Sequence, residues 1–243
     1  MATTFIQLTN KLLTTLNETP LTAAQFSGAT GFNGQAKDAI NNSIHDIIRK
    51  FPLWPFLKEQ HTISTSSGVT EYTINQAYSP IDFYTCQVNR NTAVTPAIVQ
   101  SSLVFMDYHL YKRYRYPVDM EASSGQWAQP QWITRPPTGN TIIVSPVPDR
   151  TYVVSYETWE VPSDLVASSD VTAIPDQFVP VIISGGTWYT NLFRENIEAA
   201  TITGKKFKSD LDDMLRLLVM GFTDAKDPRV VRPKALTGPS RYF

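Results

Sequence analysis

QPQWITRPPTGNTIIVSPVPDRTYVVSYETWEVPSDL, residues 129–165, alternates short apolar runs with proline-rich turns. QWITR leads into a turn at Pro136-Pro137-Thr138-Gly139-Asn140, TIIVSP into a second at Pro146-Val147-Pro148-Asp149, and RTYVVSYETWEV follows. Pro and Gly at these places break the ladder and set tight turns, so the stretch reads as successive antiparallel strands. In the last of them Tyr152, Val154, Tyr156 and Thr158 share one side, while Val153, Ser155, Glu157 and Trp159 share the other. A strand apolar on both faces is central or bent.

Upstream, HTISTSSGVTEYTIN (61–75) alternates in the same way and reads as a hairpin turning at Ser67-Gly68, with DFYTCQV (82–88) as a third strand. Between the two β blocks, SSLVFMDYHLYKRY (101–114) has helical spacing, with Ser101 or Ser102 as cap and Pro117 as stop. Outside the blocks the period is helical. Phe5, Leu8, Leu12 and Leu16 place a helix over 3–17, and Ala36, Ile40, Ile44, Ile47, Ile48 and Phe51 a second over 35–51, closed by the cluster Phe51, Leu53, Trp54, Phe56, Leu57. The Gly/Thr/Ser-rich stretch 19–34 reads as a loop. Pro175-Asp176-Gln177 opens a helix over 176–200, in which Gly185-Gly186 allows a close backbone approach or a kink; the last helix, 205–222, starts after Gly204.

The expected fold is α+β: a helical bundle formed by N- and C-terminal helices, an inserted antiparallel β module (60–90 and 128–161) and an extended C-terminal tail. The body spans 1–225 and the tail 226–243. The tail, KDPRVVRPKALTGPSRYF, carries Lys226, Arg229, Arg232, Lys234 and Arg241 against Asp227, so it is net +4 and leaves −5 for the body. Pro228, Pro233 and Pro239 prevent a helix, and the apolar content is too small for a core. Arg241-Tyr242-Phe243 has the composition of an anchor rather than of a solubilising end.

Net charge −1 argues against a general nucleic-acid binder. The single cysteine, Cys86, excludes a disulfide framework and reads as a buried small hydrophobe. The longest apolar runs, 178–183 and 217–220, are too short to span a bilayer, and no secretory leader is recognisable, so a soluble chain made in a cytoplasm is expected.

No catalytic constellation, metal site or cofactor is expected. Gly28, Gly31 and Gly34 with Lys37 lack the preceding strand and the Gly-Lys-Ser/Thr of a phosphate loop. His45, His61 and His109 have no His or Cys at ligand spacing. Asp210, Asp212 and Asp213 are explained as acidic residues at the positive end of the last helix. Tyr108–Tyr116 interleaves tyrosines with Lys112, Arg113 and Arg115; stacking on single-stranded bases is one reading, and cations at a helix C-terminus is the favoured one. Trp54 and Trp188 fit a core, whereas Trp127, Trp132 and Trp159 border the β blocks and are candidates for subunit contacts.

Three segments together carry a family resemblance. AINNSIHDIIRKFPLWPFL (39–57) followed by ISTSSGVTEYTIN, the 129–165 stretch with its P-x-P-D turn and V-P-x-x-L exit, and AIPDQFVPVIISGGTWYTNLF (173–193) resemble head-to-tail adaptor (connector, or head-completion) proteins of tailed bacteriophages. The resemblance implies a structural, non-enzymatic protein of the virion neck, in a homo-oligomeric ring, commonly a dodecamer, docked beneath the portal protein. A tail or nozzle protein would bind below, and double-stranded DNA would pass through the lumen without sequence-specific binding. It also implies that 226–243 grips the portal. Within that segment the residue types make Val230, Val231, Tyr242 and Phe243 the expected apolar anchors and Arg229, Arg232, Lys234 and Arg241 the expected partners of acidic sites. The competing readings are a tail-tube or tail-completion protein and a nucleic-acid module using 108–116 with the tail.

Overall fold

The computed structural model describes residues 3–74, 80–90 and 100–220. In chain order the helices α1 (Phe5–Thr15), α2 (Ala23–Ser27) and α3 (Phe32–Lys50) come first. Strands β1 (Lys58–Ser64), β2 (Glu71–Thr73), β3 (Ile81–Arg90), β4 (Gln100–Ser102) and β5 (Val104–Phe105) follow. After α4 (Tyr108–Leu110) and α5 (Tyr116–Glu121) come β6 (Trp132–Thr134), β7 (Thr141–Ser145) and β8 (Tyr152–Trp159), then α6 (Val179–Phe193) and α7 (Ile197–Leu215). The fold is α+β, as the block order implies. The chain forms two units, Met1–Phe51 with Leu165–Phe243 and Pro52–Asp164.

The helical unit is organised by amphipathic faces. Phe5, Leu8, Leu12 and Leu13 of α1 are fully buried, as are Ala36, Ala39, Ile40 and Ile47 of α3. The glycine pair in α6 serves close approach rather than a kink, since the helix runs unbroken through it. A Cβ on Gly185 would stand 2.2 Å from Ser43 Oγ, and one on Gly186 would stand 3.1 Å from Leu12 and 3.2 Å from Ile40. The stretch 19–34 is not wholly loop. Gln25 reaches back to the Thr22 N–H at 3.0 Å to start α2, and Phe26 packs edge-on against Phe5 with centroids 5.0 Å apart. Asn10 pins the approach by exchanging hydrogen bonds with the Leu21 backbone at 2.7 and 2.9 Å.

The last two helices meet earlier than their sequence suggests. The break expected at 200–205 lies at 194–196, where Glu195 takes φ 56° and Asn196 accepts from the Ala199 N–H at 3.2 Å. Gly204 therefore sits inside α7, where its missing side chain admits Trp188, whose Nε1 would be 2.9 Å from a Cβ there. Asp210, Asp212 and Asp213 consequently lie in the C-terminal half of α7, not at its start. The Lys50 ammonium, 3.0 Å away, supplies the partner for Asp212 that the helix dipole does not.

The β unit contains two four-stranded sheets, ordered β1-β8-β3-β4 and β2-β7-β6-β5. Pairing is antiparallel except for β5 with β6, which is parallel. Their inner faces share a core that includes Cys86, Val88, Ile133, Ile142, Val144, Tyr152 and Val154. β8 is central, flanked by β1 and β3, as its two apolar faces require. β6 and β7 form the hairpin read from 129–145, closed by Gly139 at φ 79°. Residues 61–75, however, are not a hairpin. β1 pairs with β8 along Lys58–Ser64, and β2 pairs with β7. The turn at Gly68, φ 81°, moves the chain from one sheet to the other. It lies beside the matching corner between β7 and β8, since Gly68 N–H donates to the Pro148 carbonyl at 2.9 Å. Alternation reveals a strand but not its partner.

The helix expected over 101–114 is displaced. Ser101 and Ser102 belong to β4; Asp107 is the cap, accepting from the His109 N–H at 2.9 Å. Pro117 does not end it. A π-helical turn at Tyr111–Arg115 sends the Tyr116 N–H to the Tyr111 carbonyl, and this widened turn carries the helix across the proline to Glu121.

Candidate interaction surfaces

The three border tryptophans are all half-buried in the β unit, but they do not form one surface. Trp127 packs over Gly68, where a Cβ would approach its ring to 3.0 Å, and donates Nε1–H to the Ala122 carbonyl at 3.3 Å. Trp132 is covered by the Arg115 guanidinium, 3.7 Å from the ring centroid. Trp159 alone joins an open apolar patch.

That patch is built on a strand irregularity. The β3–β8 register breaks between Asp82 and Gln87, and the displaced stretch turns Tyr84 out to 99% exposure. Phe83 stacks on Phe105 of β5 at 4.2 Å, while Val104 and Phe105 are 60% and 48% exposed. With Leu103 and Trp159 these residues line a cavity of about 650 Å³. Among the described residues β5 ends its sheet, so the patch adjoins a sheet edge, a common place for chain-to-chain contact. Sequence alternation does not reveal it, because the bulge changes which residues point outward.

Beneath Trp159, Lys58 meets Asp82 at 2.9 Å and Glu157 at 2.5 Å. Burial works against its charge, but the hydrogen bonds to Glu157 and Asp82 outweigh it and raise the ammonium above the usual lysine range. The buried Cys86 thiol is pushed up to about 12, chiefly by burial, so it packs as a hydrophobe and is a poor nucleophile.

The basic aromatic run is largely self-paired. The Lys112 ammonium lies 3.5 Å from the Tyr116 ring centroid and the Arg113 guanidinium 5.2 Å from that of Tyr114. Burial raises the Asp119 carboxyl above its ordinary range, with Ser145 and Arg115 offsetting part of the effect. A raised folded-state value means the carboxyl supports folding fully below the unfolded aspartate range, and that support is lost as pH rises through the raised value. Asp119→Asn is therefore expected to raise Tm near neutral pH, with the gain vanishing below about pH 3–4. Thermal melts of both proteins across pH check this; a constant gain would assign the effect to packing.

In the helical unit Trp188 stacks on Phe207 at 5.9 Å, above a groove of about 540 Å³ whose charged lining is Asp46, Arg49, Lys50 and Lys208. Lys37, the lysine after the glycines, lies 4.6 Å from the Phe26 ring centroid and donates to the Phe26 carbonyl at 3.3 Å, so it is committed to packing α2. Arg229, Val230, Val231, Arg232, Lys234, Arg241, Tyr242 and Phe243 lie outside the described residues.

An exposed aromatic patch and a charged groove beside Trp188 suit a protein that works by holding other proteins. The chain belongs to the SU10 adaptor protein family, whose model matches residues 3–233. It is thus a structural adaptor protein of a bacteriophage and a component of the phage particle. No curated protein matches it. No helix among the described residues is long and apolar enough to cross a membrane.

Proposed function

We propose that the chain forms a homo-oligomeric neck ring, a dodecamer, that joins the portal to the tail and lines part of the DNA channel. The observation that carries this reading is the family match over 3–233. A ring bonded through unlike faces needs two different surfaces on each subunit. The aromatic edge at Tyr84, Phe105 and Trp159 supports one such face, and the charged groove at Trp188 supports another. The +4 stretch 226–243 is assigned to the portal. The −5 body suits a conduit, because a strongly basic lumen would retain phosphates by counterion release.

Single-particle electron microscopy of the protein, alone and mixed with portal rings, tests this. Coaxial stacking on the portal is the expected result. Binding only to tail tubes would favour a tail-completion role.

A nucleic-acid module using 108–116 is the reading from another class. Because Arg115 is stacked on Trp132 and Arg113 lies near Tyr114, Arg113→Ala with Arg115→Ala is expected to change DNA affinity by less than about twofold. Loss of affinity together with a shallower salt dependence would favour the nucleic-acid reading.

A further inference from the structure

Glu59 and His61 stand two residues apart on β1, so their side chains leave the same face of the sheet. Register places Thr158 opposite Glu59 and Tyr156 opposite His61. Glu160, two residues beyond Thr158, continues that face. One oxygen of Glu59, one ring nitrogen of His61 and one oxygen of Glu160 lie within 4.8 Å of one another. His61 Nε2 is 3.0 Å from Glu160 Oε1 and 3.0 Å from the hydroxyl of Thr158, which is fully buried. The His61 ring is backed by Tyr156, with centroids 5.5 Å apart.

The neighbouring lysine is engaged elsewhere. Lys58, adjacent in sequence, points to the opposite face and is engaged by Asp82 and Glu157. Among the described residues, Glu59 has no ion pair, and the only cationic partner of Glu160 is the imidazole when protonated. Two carboxylates therefore converge on one imidazole.

We propose that Glu59, His61 and Glu160 bind a divalent transition-metal ion of the zinc type. One nitrogen and two carboxylate oxygens, completed by water, form a tetrahedral set suited to zinc, whereas magnesium and calcium prefer oxygen alone. Metal–ligand bonds of about 2.0–2.2 Å put neighbouring ligand atoms roughly 3.3–3.6 Å apart. The 3.0 Å between Nε2 and Oε1 is already near that spacing, and the exposed Glu59 closes the rest by side-chain rotation. The ion would tie β1 to the residues following β8, the two strands by which the chain enters and leaves the β unit. A plain His61–Glu160 ion pair makes no use of Glu59, and this separates the two accounts.

The test is calorimetric titration of chelator-stripped full-length protein with zinc chloride, with thermal melts in parallel. Saturable binding of one ion per chain and a rise in Tm are expected. Glu59→Gln is expected to weaken zinc about tenfold or more while leaving the zinc-free Tm unchanged, and His61→Gln to abolish binding. Millimolar magnesium should not compete. Absence of saturable binding, or binding unchanged in both variants, would overturn the proposal, the latter by placing zinc at another histidine. The assignment holds whether or not the chain forms a ring.

Discussion

Removal of residues 226–243 is expected to leave a folded protein that no longer attaches to portal-bearing capsids. The segment has only two aromatic residues, Tyr242 and Phe243, and its proposed apolar contacts also include the pair Val230-Val231. If both aromatics serve as anchors on the portal, at about 2 kcal/mol each, their loss corresponds to roughly a thousandfold in affinity. The four cations among the assigned contacts add salt-sensitive association with acidic sites. Co-sedimentation with portal-bearing capsids measures attachment, and far-UV circular dichroism with thermal melting establishes that the body remains folded. A truncated protein that still co-sediments would show that the portal is gripped elsewhere. Full attachment by a protein lacking only Tyr242 and Phe243 would move the contact to the 229–234 cluster.

The second large effect is expected at the crossing of α3 and α6. Alanine at Gly185 would gain roughly 1 kcal/mol of helix propensity if nothing else changed. It would instead bring Cβ to 2.2 Å from Ser43 Oγ, 2.9 Å from Ser43 Cβ and 2.8 Å from the Phe207 ring. Ser43 is fully buried and donates its hydroxyl to the Ile182 carbonyl at 3.0 Å, so it has nowhere to retreat without losing that bond. Overpacking of this kind costs about 1–3 kcal/mol beyond any propensity gain, and the clash prevails. Gly185→Ala is thus expected to lower stability by about 2 kcal/mol. Adding Ser43→Gly should restore part of the loss, because it removes two of the three contacts. Gly28→Ala is the control: nothing lies within 4 Å of that Cβ, and the change should be within about 0.5 kcal/mol. Denaturant melts of the double-mutant cycle measure the coupling; strictly additive effects would place the strain elsewhere than Ser43.

Much of the fold is legible in the sequence because its strongest signals are local. The stripe Phe5, Leu8, Leu12 needs only a helix and a core, and the two-faced run 152–159 needs only a central position. What escaped depends on residues distant in sequence. Seven residues of β1 pair with β8 across nearly a hundred positions, and alternation in 61–75 carries no trace of that choice. Gly204 resembles a helix end until Trp188 is seen to occupy the space above it. Pro117 resembles a stop because a π turn leaves no composition signal. The same limit applies to surfaces. Trp159 is at the border the sequence suggests, but its neighbour Tyr84 is exposed because a bulge reorients β3, and Phe105 because β5 ends its sheet. His61 looks isolated until β8 brings Glu160 to it.

Lys58 and Trp159, the first residue of β1 and the last of β8, are direct cross-strand partners. The chain's entry to and exit from the β unit are therefore neighbours, about 5 Å apart at their Cα atoms. A segment whose two ends meet in this way behaves as a cassette: a short bridge could replace it, or another cassette could be spliced in its place, without stretching the host. Phage lineages could then exchange the β unit while inheriting the helices unchanged.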